Sequence, residues 1–446
     1  MRSKAELKQL AIEAIERRKE EIYKLGDSIY QEPELGYKEQ RTAEKIKQVY
    51  RDLGLDYEDE IAITGIKCRL KGKSSKFNVA ILGELDSIIS PLHPDADPET
   101  GAAHCCGHNC MSAALIGVAY ALSDTDILNE LDGDVTLLSV PAEEYVEIDF
   151  RNQLIEEGKI SFLGGKQEFI KLGIFDDIDI SLMQHTFNNE TEGLTDIKAS
   201  AGQTMNGFIG QSIHYIGRES HAGAEPDKGI NALSACHVSL AAIHALRETF
   251  RDEDYIRVHP IITKGGDLVN VIPADVRVEN YIRGANIESI MSATKKIVRA
   301  WKAGAYALGA EVDIKTMPGY LPDIPNKELQ ELMYNNMKEI FGEEHVKFSL
   351  PHAAGGSDNG DVSSLIPALQ ARLGGASGNF HSSDYRLIDR EIAYLGAAKS
   401  LVTTLIDLLY DEGKEAEKVI NNYEPIFTKE KYLEVWGRLG EKFMEE

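Results

Sequence analysis

Apolar residues recur at helical spacing through residues 4–54. Leu7, Leu10, Ala14 and Ile15 predict one helix, and Ala43, Ile46, Val49 and Leu53 a second. QEPELGYKEQ lies between them as a Pro/Gly break, with Thr42 as the start of the second helix. Three apolar runs of strand length follow: IAITGIKCRL (61–70), FNVAILGELD (77–86) and DVTLLSVPAEE (134–144). The last two are almost wholly apolar up to their polar ends, the pattern of parallel strands covered on both faces. Between them, CMSAALIGVAYAL (110–122) has the length and small residues of a buried crossover helix. Strand, helix and strand in this order predict an α/β domain.

The pattern changes near residue 200. SAGQTMNGFIGQSIHYIGRES alternates as strands do, residues 230–250 form a strongly periodic helix, and residues 258–284 contain two or three strands with turns. A helix from Ile287 to about Leu308 and the strand EVDIKTMPG complete an α+β unit, strand-helix-strand-strand-helix-strand, large enough to be a domain. A helix in IPNKELQELMYNNMKEIFG and a strand over 365–373 then resume the first pattern. The expectation is a mainly parallel α/β domain (1–199 and 317–446) interrupted by a smaller insert (200–316).

Composition narrows the function. With 43% hydrophobic residues the 446-residue chain has ample material for a core. No run of about 18 apolar residues is evident and the charged start lacks an apolar signal region, so the expectation is no membrane contact and a cytoplasmic location. A formal net charge of −25 argues against nucleic acid, whose phosphates need clustered Lys and Arg. The acidity is read as solubility in preference to any acidic function. Five cysteines, three of them within residues 105–110, make a poor disulfide framework; metal binding, catalysis or burial is the expectation.

Three polar clusters stand at expected strand or helix ends, where open α/β sheets bind ligands. These are GELD (Glu84, Asp86), PAEE (Glu143, Glu144) and HCCGHN (104–109). Each alone is weak, since acidic strand ends are usually just solvated. Their convergence is the signal. Two adjacent carboxylates repel unless a cation intervenes. A metal would let one glutamate bind and leave the other as a base for water. Cys106 and His108 flank Gly107 and carry donors that suit zinc and similar ions. The spacing is not that of a structural zinc site, and Cys105 and Cys110 read as packed thiols. His185 and His381, each after an apolar stretch, could complete a shell. His221 falls in the insert, outside the local cluster.

These residues resemble a known family. GELDS, HCCGHN, PAEE, GRESHAGAEPDKGINAL, NVIP and HSSDY occur in that order, after QEPELGYKEQRTAEKI. The set is similar to the two-domain metal-dependent amidohydrolases of the aminoacylase/carboxypeptidase superfamily. That group includes hippurate, auxin-conjugate and aminobenzoyl-glutamate hydrolases. The resemblance implies divalent metals, two per subunit (zinc, manganese, nickel or cobalt), held by Cys106, His108, Glu144, His185 and His381. It implies Glu143 as general base, Asp86 orienting a ligand, His221 reaching the partner subunit's active site, and Asn270 near substrate. The insert becomes a lid and homodimerisation domain. Departures surround the site: Cys105 and Asn109 stand where Ala and Asp are commoner, Val140 replaces Gln, and GGSDNGD (355–361) is atypical.

The reaction this implies is hydrolysis of the amide in an N-acyl or N-aryl-acyl amino acid or dipeptide-like molecule by metal-activated water. Two alternatives remain. One is a metal-free cysteine hydrolase using Cys106, which leaves the glutamate pair idle. The other is a non-catalytic binding protein that keeps the fold.

Overall fold

The computed structural model describes residues 2–188, 194 and 196–439, and these divide into two compact units. The first comprises residues up to Thr204, Ile324–Pro351 and Asp361–Phe427. The second comprises Met205–Asp323, His352–Gly360 and the described residues from Thr428. The chain thus enters the second unit three times, where the sequence pattern shows one insertion.

In chain order the main elements are α1 (Lys4–Arg17), α2 (Lys19–Gln31), α3 (Gln40–Asp52), β1 (Glu58–Ile61), β2 (Gly65–Leu70), β3 (Asn78–Glu84), α4 (His108–Ser123), β4 (Asp134–Val140), α5 (Ile148–Glu156), α6 (Gly165–Leu172) and β5 (Ile180–Asn188). The second unit supplies β6 (Gly207–Ile216), α7 (Ala232–Leu246), β7 (Arg257–Lys264), β8 (Asp275–Gly284), α8 (Ile287–Leu308) and β9 (Glu311–Pro318). The first resumes with α9 (Lys327–Phe341), β10 (Ala368–Ser377) and α10 (Ala397–Leu409).

In the first unit β1-β2-β4-β3-β5-β10 run side by side in a nine-stranded sheet completed by two-residue strands. β4, β3, β5 and β10 are mutually parallel. Every residue of β3 and β4 is buried, as expected of strands covered on both faces. α4 lies on β3 and is buried along its length by α1, α2 and α10, so its small residues serve close helix packing. In the second unit β7-β8-β6-β9 form an antiparallel sheet, with α7 and α8 closing a separate core around Trp301 and Tyr215.

Three local expectations are corrected. The run 61–70 is a hairpin, because Glu60, Ala62 and Ile63 take positive φ and turn the chain before β2, which pairs antiparallel with β4. Residues 4–54 hold three helices, broken at Arg18, and Thr42 lies inside α3. The Glu34 carboxylate takes that helix's first amides, accepting from the backbone N–H groups of Arg41 and Thr42 at 3.1 and 2.8 Å. Finally, among the described residues one helical segment, Glu391–Leu409, is long and apolar enough to cross a membrane, but 89% of that stretch is buried in the protein. Its apolarity is spent on the core, where α10 meets α1, α4 and α9.

Candidate metal centre

Parallel strands deliver their carboxyl ends to one edge of the sheet, and the candidate ligands stand there. β3 ends at Glu84, with Asp86 two residues on. β4 ends at Val140, and Pro141 and Ala142 turn the chain so that both Glu143 and Glu144 can face one place. Ala142 takes φ 53° to make that turn. His185 lies in β5. His381 follows β10 in a loop and has φ 57°.

Gly107 sets the entry to α4. Its φ is 95°, and a Cβ there would fall 2.3 Å from Thr186 Oγ1. Only glycine makes this turn, which puts Cys106 and His108 on the same side of the helix start. Cys105 packs instead with Ile88, Ala103, Ala376 and Tyr385, and all five cysteines are buried thiols. Asn109 donates its amide to Tyr394 Oη at 3.0 Å.

The donors converge on Cys106. Its Sγ lies 3.4 Å from both His185 Nε2 and His381 Nε2. His381 Nε2 lies 2.9 Å from Glu144 Oε1. Two candidate ion-holding triads therefore share the thiol: Cys106, His108 and His185; and Cys106, Glu144 and His381. A third group joins Glu84, His108 and Glu143. Donors about 2.0–2.3 Å from one ion stand roughly 3–3.5 Å apart, so these separations are those of neighbouring ligands.

The ring nitrogens are oriented from behind. His108 Nδ1 meets the Asp86 carbonyl at 2.9 Å and its Oδ1 at 3.1 Å, which leaves the Nε2 lone pair facing the site. His185 Nδ1 donates to the Thr186 carbonyl at 2.8 Å, with the same result. Asp86 Oδ2 also accepts the Glu144 backbone N–H at 2.8 Å. Among the described residues Glu84 Oε2, His108 Nε2 and Glu144 Oε1 are buried without any hydrogen bond. Close approach without hydrogen-bond geometry, at three buried polar atoms on one spot, fits donors awaiting a cation.

The groups also set one another's charge. Burial and Glu144 push the Cys106 thiol up, but His185, His108 and His381 outweigh them and bring it down to about 6. Burial raises the Glu144 carboxyl, yet the His381 and His108 charges hold it at about 2. His108 is driven well above the ordinary imidazole range: burial opposes this, but Glu84, Cys106 and Asp86 prevail. His381 is pushed up to about 12 by Glu144 and Cys106 against burial, and with 47% of its side chain exposed it is the member solvent screens most. The Cys106 thiol and the Glu144 carboxyl are thus ionised, while His108 and His381 hold protons that a metal would displace.

Three residues that the sequence reading did not raise, with the strand-end Glu84 that it did, complete the surroundings. Buried Glu39 accepts the Ala142 N–H at 2.8 Å and the Thr64 hydroxyl at 2.7 Å, so it grips the turn before the glutamate pair. Buried Arg151 donates to the carbonyls of Glu144 and Leu163. Glu84, the strand-end acid, and Lys166 of α6 form a buried pair, Oε1 to Nζ 2.5 Å. Spacing identifies none of these pairings, since the partners lie 7 to 103 residues apart.

His221 and Asn270 are in the second unit. His221 bridges Val271, and the Ala222 N–H donates to the Asn270 carbonyl at 2.9 Å. The backbone N–H groups of Gly223 and Ala224 both donate to His221 Nδ1, so the neutral ring carries its proton on Nε2.

The profile described as Peptidase family M20/M25/M40 matches residues 83–406. A mouse Xaa-Arg dipeptidase is 28% identical over 91% of this chain and 89% of its own length. The hippurate hydrolase of Campylobacter jejuni is 24% identical over 84% of this chain and 93% of its own. A Bacillus subtilis structure described as a dinuclear metal-binding peptidase of the M20 family superposes with a TM-score of 0.61. It is 19% identical and covers 87% of this chain and 98% of that one, a likeness of fold.

Proposed function

Because the chain belongs to the peptidase family M20/M25/M40 and is a metal-dependent amide-bond hydrolase, we propose that it cleaves an N-acyl or N-aryl-acyl amino acid, or a dipeptide. The observation that carries this reading is the pair of triads sharing Cys106. Cys106, His108 and His185 would hold one divalent ion, and Cys106, Glu144 and His381 a second. A thiolate, three imidazoles and a carboxylate suit zinc and its neighbours manganese, cobalt and nickel. When bound, such ions polarise a carbonyl and bring water's pKa from 15.7 to about 7.

The chain's own groups do the rest. Glu143 Oε2 lies 3.8 Å from His108 Nε2, close enough to reach a water at the site. It takes that water's proton and returns it to the departing amine, base then acid. Asp86 holds His108 and the Glu144 backbone in register. His221, with its Nε2–H as donor, is assigned to the oxyanion, and Asn270 to the substrate. We assign His221 to the site of a second copy in a homodimer built through the insert. Five buried thiols support a reducing, cytoplasmic setting.

The test is a panel of N-acyl amino acids and dipeptides offered to enzyme reconstituted with each of the four metals. Turnover of at least one substrate class, abolished by EDTA and restored by metal, is expected. Full activity in EDTA would transfer the chemistry to the Cys106 thiolate acting as nucleophile, with His185 or His381 as base.

A further inference from the structure

Lysine is almost never fully buried unless paired, and Lys166 has no accessible surface. Its place is built locally. α6 begins at Gly165, where a Cβ would fall 1.7 Å from the Pro141 carbonyl oxygen, so only glycine lets the helix start against the turn that leads to Glu143. The next residue, Lys166, then points inward and reaches Glu84 at the end of β3, itself 1% exposed.

A purely structural ion pair is the simplest account, and it explains one oxygen of Glu84. The other oxygen needs a different account. Oε2 makes no hydrogen bond and stands 3.1 Å from His108 Nε2, which makes none either. His108 Nδ1 is already committed to Asp86, so Nε2 is the atom that offers a lone pair to an ion. Two buried atoms able to bind one ion once Nε2 gives up its proton face each other at the separation of neighbouring ligands. One carboxylate therefore spans a fixed cation on one side and the imidazole's ion position on the other.

We propose that Glu84 is a further metal ligand, sharing with His108 the ion assigned to Cys106, His108 and His185, with Lys166 as its counter-cation. This rests on the two-metal reading above. Lys166 neutralises Glu84 before an ion arrives, which lets a fourth anionic side chain sit in a buried site beside Cys106, Glu143 and Glu144.

Metal content and thermal melting, with and without added zinc, test this without reference to turnover. Wild-type protein is expected to hold two ions per chain. Glu84→Gln keeps the shape of the side chain and loses its charge. It is expected to retain one ion at wild-type affinity and to hold the other at least tenfold more weakly, with a smaller zinc-induced rise in Tm. Lys166→Met leaves Glu84 uncompensated; its Tm without metal should fall, and its zinc-induced rise should exceed that of wild type. Two ions bound by Glu84→Gln with unchanged affinities would overturn the ligand role, as would an unchanged zinc-induced rise in Lys166→Met. The second variant decides the matter if the first does not fold. Wild-type protein that binds fewer than two ions would overturn the two-metal reading itself, and this inference with it.

Discussion

Glu143 and Glu144 are chain neighbours with different proposed tasks, and their surroundings separate them. Glu144 lies against His381, and its backbone N–H is held by Asp86; Glu143 faces His108 across 3.8 Å. Glu143→Ala should therefore lower turnover by about 10²–10⁴-fold with metal content unchanged, measured as kcat beside elemental analysis. Asp86→Asn removes the charge that orients His108, and metal affinity should fall about 10–100-fold in competition titrations. Glu39 carries a pH signature. Burial, then the nearby Asp86 charge, raise its carboxyl to about 7, against its hydrogen bonds to Thr64 and Ala142. A raised acid favours folding while protonated. Its contribution is complete below the ordinary carboxyl range and is lost as pH climbs through about 7. Denaturant unfolding of apo-protein should show wild type losing up to about 3 kcal/mol relative to Glu39→Gln between pH 4.5 and 8.

At the scale of elements, long periodic segments were legible and short turns were not. α4, α8 and β3 carry their own patterns, because a buried face must be apolar along its length. The hairpin at Glu58–Leu70 was hidden, since Ala62 and Ile63 give no sign of the positive φ they adopt. α10 was overlooked because buried Lys399 and Asp407 interrupt its apolar run; Lys399 pairs with Glu16 of α1, and Asp407 with Lys4 and Lys8. The entry to α4 is the element most sensitive to one atom. Gly107→Ala adds a methyl against Thr186 at a φ of 95° and should cost at least about 2 kcal/mol in denaturant unfolding, with loss of bound metal.

For the whole molecule, two cores mean two folding units, each with its own sheet, and the proposed homodimer belongs to the second. β7 is an edge strand there, and Ile261 and Ile262 remain exposed on it at 61% and 45%. An uncapped apolar edge invites pairing with a second copy. Sedimentation should show a dimer for the wild type, and Ile261→Lys should shift it toward monomer. An unchanged dimer would place the interface elsewhere.

By itself the sequence determined the fold class, the family and a set of residues able to bind metal. Each is written in short-range order: apolar period, strand-end acids, Cys-Gly-His, Pro-Ala-Glu-Glu. Tertiary structure alone decided which long-separated groups meet. Glu84 with Lys166, Glu39 with Ala142, and Cys106 with both His185 and His381 are joined across 79 to 275 residues. It also decided the charge each carries, because burial and neighbouring ions set a pKa, and neither exists until the chain has folded.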